Sequence, residues 1–343
     1  MSQLSVGLRL LIGLAAAVIA LAGIKEMSAI AGPAFLALTL TIAVSPLRTW
    51  LARKGAPWAV TTFVPLLTVI VVLGALALAL VAALAQLTAI LPTYADKYRQ
   101  MVAEGSAWLS SLGITPEQTK QVLSKLDVGQ LAQAAQGVLT GLLGAVTATA
   151  VIVMLLFGMA LDAGYVRAAL RRLPSSPMAA ALSGFAKDTC NYLIVSTVFG
   201  LIVAVLDGVA LWLLGVPLPV LWGLLAFITN YIPNIGFVIG LVPPALLALL
   251  SSGPSTMIWV ILVYCVLNFV IQSLIQPRFV GVSAGLSTTL TMVSLLVWAY
   301  VLGALGAILA VPLSAFARAV LVDSDPRTRW ASSLVAGRDL PPR

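Results

Sequence analysis

The chain has 343 residues, of which 61% are apolar and 9% are charged, and its formal net charge is +8. Soluble domains contain about 45–50% apolar and about 25% charged residues, so this composition excludes a water-soluble enzyme, a disordered chain and a disulfide-stabilised secreted domain. It predicts an all-α polytopic membrane protein. The basic residues are spread thinly beside apolar segments, which is typical of membrane orientation rather than of nucleic-acid binding.

Residue types that carry catalytic chemistry are few. The sequence contains no histidine, and its two cysteines, Cys190 and Cys265, lie far apart in apolar segments. Histidine-ligated metals, histidine proton relays and Ser-His-Asp triads are therefore excluded, and the cysteines form neither a metal motif nor a redox pair. P-loops and paired intramembrane aspartates are also absent. We expect a protein that is not an enzyme and that binds no cofactor or metal.

Six apolar runs are predicted to cross the membrane, since a span needs about 20 predominantly apolar residues. They are Leu10–Ile24, Ala29–Leu47, Trp58–Leu87, Gly137–Leu161, Lys187–Leu214 and Thr256–Ile275. The first run could instead be a secretory signal, but the apolar runs that follow favour a span. Residues 1–87 are therefore predicted to form an N-terminal scaffold.

A polar stretch, residues 88–136, separates the third and fourth spans. Thr115 followed by Pro116 and Gln118 predicts a helix start with Thr115 as its N-cap. We predict a small helical excursion outside the bilayer. The fourth span and a connector that begins at Asp162 occupy residues 137–186, and residues 321–343 form a polar tail.

The basic residues predict the orientation. Most of the 19 lysines and arginines flank the spans on one side of the membrane, including Arg48, Arg167 and Arg318. By the positive-inside rule both termini are cytoplasmic, the excursion is extracytoplasmic, and the protein lies in the cell (inner) membrane.

Two apolar segments, Leu221–Leu250 and Leu286–Ala317, are too long for one span and too short for two. The orientation requires each to begin and end on one side, and each is broken in its middle, the first at Ile232–Gly236 and the second at Gly303–Gly306. We predict two re-entrant hairpins in an inverted repeat within residues 187–320, which gives about eight membrane segments. The alternative is two kinked, strongly tilted spans.

Polar residues and helix breakers in this region are the candidate solute site, because polar groups in hydrocarbon are costly unless paired or wetted. The candidates are Asn230, Pro233, Asn234, Gly236, Asn268, Gln272, Gln276 and Pro277. Non-helical backbone at membrane depth requires protein or a water-filled cavity around it, so we predict a lined cavity. The alternative is a packing kink in which Asn234 caps the second helix. The predicted hairpin hinges are Gly236, Pro243, Gly303, Gly306 and Pro312.

Asp207 is the one acid that we place inside an apolar run, since Asp188 lies at the inner end of its span. It could carry a proton or a sodium ion, or its side chain could reach the outer interface, and the sequence favours the interface.

Specific motifs lie in the C-terminal half, and they are Trp222–Gly236, Pro243-Pro244, Asn268, Gln276–Gly281, Leu286-Ser287, Gly303, Gly306 and Val311-Pro312. These motifs, together with a span order that matches over nearly the whole chain, carry a resemblance to the autoinducer-2 exporter family of bacterial and archaeal permeases. It implies export of a small polar metabolite such as autoinducer-2, or sodium(lithium)/proton antiport as in some relatives. It also implies a homo-oligomer, such as a pentamer, in membrane lipid, with an elevator motion of the hairpin-bearing half.

Gln276 departs from the family pattern, because many relatives have glutamate there. The departure removes a titrating group and disfavours proton coupling through this position. A third function, from another class, is a scaffold that binds partners through residues 88–136.

Overall fold

The computed structural model describes residues 5–94, 146–173, 176–233, 235–276 and 287–325, together with residue 328 and separate positions between 97 and 141. These residues form helices and connecting turns, without a strand. The helices are α1 (Val6–Glu26), α2 (Ser28–Ala43), α3 (Ser45–Arg53), α4 (Trp58–Ile90), α5 (Val146–Arg171), α6 (Pro177–Leu213), α7 (Pro219–Thr229), α8 (Gly236–Ser252), α9 (Pro254–Asn268), α10 (Thr288–Ile308) and α11 (Ala310–Arg318). A 3₁₀ turn, Leu91–Tyr94, extends α4, and π-helical turns, Phe269–Ile275 and Ala319–Asp323, extend α9 and α11.

Six helical segments among the described residues are long and apolar enough to cross a membrane. They are Ser28–Arg53, Trp58–Tyr94, Thr149–Leu170, Pro177–Leu213, Pro254–Ile275 and Thr289–Ile308. The shorter apolar helices α7 and α8 accompany them, and α1 contains the first predicted span. The prediction of an all-α polytopic membrane protein is confirmed.

The two helices that contain the fourth and fifth predicted spans extend into the predicted connector between them. Helix α5 continues to Arg171 and α6 begins at Pro177, ten residues before the predicted start at Lys187. The local sequence explains this start: the Ser176 hydroxyl accepts a hydrogen bond from the Ala179 amide, and Pro177 occupies the first turn. Most of residues 88–136, including the predicted helix start at Thr115, lie outside the described residues.

The first predicted hairpin is formed by α7 and α8, which pack against each other. Its break lies where the sequence predicts, since α7 ends at Thr229 and α8 begins at Gly236. A Cβ at Gly236 would overlap the Thr229 carbonyl oxygen, so only glycine fits this turn. In the large buried cluster, Leu87 of α4 and Leu211 of α6 pack with Trp222 of α7.

The second hairpin reverses at Gly303 in α10, whose φ of 66° is non-helical. The Trp298 indole N–H donates to the Ser314 hydroxyl at 2.9 Å, which joins α10 to α11. A Cβ at Gly306 would overlap the Trp298 carbonyl oxygen, as at the first hairpin. This hairpin packs on α1 and α2, and its predicted start at Leu286 lies outside the described residues.

Gly306→Ala tests the packing of the second hairpin. Because the added Cβ would meet the Trp298 carbonyl, the two arms must separate, and we expect a loss of roughly 1–3 kcal/mol. Gly74 of α4 has open space around its Cα, so Gly74→Ala is the matched control. Thermal unfolding of the full-length protein in detergent compares the two variants. Equal unfolding midpoints for the two variants would contradict the close contact between Gly306 and the Trp298 carbonyl.

Candidate functional site

A network of side-chain amides lies beside the turn of the first hairpin. Gln272 Nε2 donates to Asn230 Oδ1 at 3.1 Å and to Asn268 Oδ1 at 2.9 Å. Asn230 Nδ2 donates to the Ser196 carbonyl of α6 at 2.9 Å, and Asn268 Nδ2 donates to the Tyr264 carbonyl at 2.9 Å. The network therefore links the hairpin turn to both α6 and α9.

Local structure brings these amides together. Asn230 directly follows α7, at the point where the helix ends and its side chain can turn toward α6. Asn268 is the last residue of α9, and Gln272 follows it by four residues in the π-helical turn. π-Helical turns are rare and occur frequently at functional sites.

Small residues allow α7 to lie close to α6. A Cβ at Gly200 would be 2.8 Å from Asn230 Nδ2, and a Cβ at Gly223 would be 2.8 Å from the Ala204 carbonyl oxygen. Such glycines let helix backbones approach closely in membranes. The two helices consequently pack without space for lipid between them.

Two tyrosines also hold the hairpin turn against α6. The Tyr192 hydroxyl donates to the Tyr231 carbonyl at 3.2 Å. The Tyr231 hydroxyl in turn lies 2.6 Å from the Thr197 hydroxyl. Together with the Asn230 contact, these bonds satisfy polar groups of a non-helical segment, as membrane depth requires.

Asp207 of α6 is completely buried, with 0% exposure. Neither carboxylate oxygen has a hydrogen-bond partner among the described residues, and Asn268 lines the same small cavity. The Tyr264 hydroxyl is also buried and unpartnered in this part of the chain, and Tyr264 lines the same cavity as Asp207. An unpaired buried charge is costly, so a proton or a cation on Asp207 would stabilise the site.

The interpretation that Asp207 reaches the outer interface is wrong. Ser196, Gly200 and Val203 precede Asp207 on one face of α6, and α7 and α9 cover that face. Hydropathy along the chain gives depth but not the rotation of a helix about its axis, which explains the error.

A small cavity joins Asp207 to the amide network. Its polar lining comprises Asp207, Thr229, Asn230, Tyr264, Asn268 and Gln272, and Val203, Ala226, Phe237 and Gly240 complete it. Its volume of about 10 Å³ is close to the minimum for one water molecule. A larger solute requires the hairpin to move away from α6 or α9.

Of the predicted site residues, the structure brings together Asn230, Asn268 and Gln272. Pro233 lies in the turn, Gly236 starts α8, and Gln276 lies one turn beyond Gln272. Asn234 and Pro277 lie outside the described residues. Binding by these residues, and hinge roles for Gly236, Pro243, Gly303, Gly306 and Pro312, stay predictions.

The sequence interpretation missed Thr229, Tyr264 and the carbonyl of Ser196. Tyr264 lies four residues before Asn268 and thus on the same helix face, a signal that helical spacing contains. Thr229 precedes Asn230 directly.

No group of three or more potential metal ligands occurs among the described residues.

Comparison with known proteins decides the family. The profile described as AI-2E family transporter matches residues 14–324. The chain belongs to the AI-2E transporter family. It is therefore a multi-pass membrane transporter, and the family resemblance predicted from the motifs is confirmed.

Three relatives of this transporter show how far the similarity extends. YhhT of Escherichia coli is 30% identical over 336 residues, which cover 97% of this chain and 95% of YhhT. The AI-2 transport protein TqsA of Escherichia coli is 30% identical over 318 residues, 92% of each chain. A Haemophilus influenzae protein is 27% identical over 328 residues, 93% of this chain and 94% of its own.

Gln272→Leu tests the amide network of the transporter. The change removes both protons donated by Gln272 and leaves the Asn230 and Asn268 oxygens without this partner, so we expect a loss of about 1–2 kcal/mol. Gln86→Leu makes the same change at an exposed position of α4. Thermal unfolding in detergent is the measurement, and equal effects of the two substitutions would be inconsistent with a stabilising network.

Proposed function

We propose that this chain is a secondary transporter that exports a small, polar, uncharged metabolite across the cell (inner) membrane. The observation that carries the proposal is the amide network of Asn230, Asn268 and Gln272 at the break of the first hairpin. The name of the relative TqsA, an AI-2 transport protein, supports an autoinducer-2-like solute. Asn234, Gln276, Pro233 and Pro277 belong to the same proposed site.

Side-chain amides suit such a solute. Each amide both donates and accepts hydrogen bonds, so a cluster of three can match the hydroxyl and carbonyl groups of a neutral polar molecule. The bonds that now join the amides to one another would be exchanged for bonds to the solute. The amide groups therefore keep hydrogen-bond partners both with and without bound solute, as buried polar groups generally do.

The proposed motion is an elevator movement of the hairpin-bearing half, with both hairpins re-entrant from opposite faces. The similar glycine-to-carbonyl contacts at Gly236 and Gly306 support a common hairpin design. The small volume of the cavity supports a closed state of the site. A solute shifts the protein toward an open state only if it binds that state more tightly than the closed one. Both termini would be cytoplasmic, and the protein would assemble as a homo-oligomer in membrane lipid, with a pentamer as the expected form.

Transport assays with purified protein in proteoliposomes test the site. Uptake and efflux of autoinducer-2 and other polar metabolites are measured with and without proton and sodium gradients. We expect Asn230→Ala and Asn234→Ala to reduce solute flux by on the order of tenfold or more, the effect of losing about 1.4 kcal/mol. Gln86→Leu, remote from the site, should retain flux. Undiminished flux in both asparagine variants would refute this site.

A second candidate function is sodium(lithium)/proton antiport with Asp207 as the ion carrier. The observation that favours it is the buried carboxylate of Asp207, which has no partner among the described residues and shares a cavity with Tyr264. A scaffold function is disfavoured, because the chain belongs to a family of transporters.

Asp207→Asn separates the two candidates. Asparagine keeps the shape of the side chain but carries no exchangeable charge, so an antiporter would lose pH-dependent sodium or lithium movement almost completely. Asp162→Asn on α5 changes an exposed carboxylate and is the control. Cation exchange without solute flux would establish the antiporter, whereas solute flux that survives Asp207→Asn would exclude Asp207 as an obligatory carrier.

A further inference from the structure

Asp207 and the amide network share one cavity, and this shared lining links the two candidate functions. Asn230, Asn268 and Gln272 line the cavity together with Asp207. Its volume of about 10 Å³ is close to the minimum for one water molecule. A solute larger than water therefore reaches the amides only if the first hairpin moves, and the same movement changes the surroundings of the carboxyl group.

In the closed cavity an ionised Asp207 would have no compensating charge. No lysine or arginine among the described residues lines the cavity, and the other titratable group in its described lining is the Tyr264 hydroxyl. Both carboxyl oxygens of Asp207 are buried and lack a hydrogen-bond partner in the same part of the chain. Burial of an isolated carboxylate is so unfavourable that the closed state favours the protonated, neutral carboxyl.

The neighbouring helices do not supply the missing charge. Helices α4, α7 and α8 contain no titratable side chain, and α9 contains Tyr264 and Cys265, of which Cys265 is exposed. On α6 itself the nearest charged residue is Asp188, about 30 Å away along the helix axis. Helix α5, helix α11 and the turn after α11 also contact α6, but none of their described charged side chains lines the cavity.

Movement of the first hairpin would reverse this balance. One wall of the cavity consists of Ala226, Thr229 and Asn230 at the end of α7 and of Phe237 and Gly240 at the start of α8. When this wall moves away, water and solute enter together. Hydration removes the penalty of burial, so the open state favours the ionised carboxylate.

A polar solute can replace the proton as the partner of Asp207. Its hydroxyl groups can donate to the carboxylate while the amides of Asn268 and Gln272 bind its other polar groups. Hydrogen bonds to the ionised form stabilise that form. The site can therefore close with either a proton or a solute, whereas the empty, ionised site cannot close without burying an uncompensated charge.

We propose that the transporter exchanges its solute for a proton, with Asp207 as the group that takes up the proton when the solute leaves. The inference rests on the proposed function, because it concerns the same cavity. Solute binding transfers one proton from the Asp207 carboxyl to water, and solute release returns one, so an O–H bond is the one covalent bond broken and remade. A proton gradient directed into the cell would then drive the solute outward.

Infrared difference spectroscopy of the full-length protein in lipid tests the solute-free state. A protonated carboxyl has a C=O stretching band that is separate from the bands of a carboxylate. At neutral pH we expect the unmodified chain to show such a band and Asp207→Asn to lack it. Asp162→Asn, at an exposed position of α5, should keep it. Absence of the band, or its loss when sodium is added at constant pH, would overturn the proposal, and the second result would favour the cation antiporter.

Solute binding in detergent tests the exchange. The probes are autoinducer-2 and the other polar metabolites of the transport assay. Because one proton leaves for each solute bound, the affinity should rise by up to about tenfold per pH unit while Asp207 titrates. Binding in weakly buffered solution should also release up to one proton per protein. Asp207→Asn should release none, and whatever affinity it retains should not vary with pH.

The outcomes separate failure of the exchange from failure of the proposed function. A solute that is transported, but whose affinity is constant with pH and whose binding releases no proton, would overturn the exchange and leave the transporter standing. A panel without any transported solute would refute the proposed function, and the exchange would fall with it. Proton release that persists in Asp207→Asn would overturn the assignment of the exchange to Asp207.

Discussion

The close contact between α6 and α7 is the feature on which the rest of the site depends. Gly200 and Gly223 remove the side chains that would separate the two helices. The approach buries Asp207, brings Asn230 to the Ser196 carbonyl and allows Tyr231 to reach Thr197. Broken helices are tolerated within a membrane only where protein or a water-filled cavity surrounds them, and this contact supplies the protein surroundings of the hairpin turn.

The two hairpins share a backbone design but differ in chemistry. Each places a glycine against a carbonyl of the preceding helix end. The first turn carries the amide network, whereas the second is fixed by the bond from Trp298 to Ser314 and packs on apolar residues of α1 and α2. Among the described residues the amide network therefore belongs to the first hairpin alone, and the proposed solute site is correspondingly asymmetric.

Much of the fold could be predicted from the sequence, because hydropathy and helix breakers act locally. The spans, the break before Gly236 and the reversal at Gly303 follow from runs of apolar residues and from the conformational freedom of glycine. The membership of Asn230, Asn268 and Gln272 in one cluster followed from their polarity. The burial of Asp207 and the role of Tyr264 did not, since they depend on helix rotation and on which helices are neighbours. The early start of α6 depended on the cap at Ser176.

The contacts around the first hairpin are of two physical kinds. They differ in how they respond when the hairpin is displaced along a neighbouring helix. Toward α6 and α9 the described residues of its turn are held by directional hydrogen bonds, which fix one register. Toward α4 it rests on apolar side chains such as Leu84 and Leu87, whose dispersion contacts are individually weak and non-directional. A displacement along α4 can exchange one set of apolar neighbours for another, whereas a displacement along α6 must break bonds. In the proposed elevator motion the α4 surface would therefore be the plane of sliding, and α6, the first hairpin and α9 would move together, apart from the local opening that admits a solute.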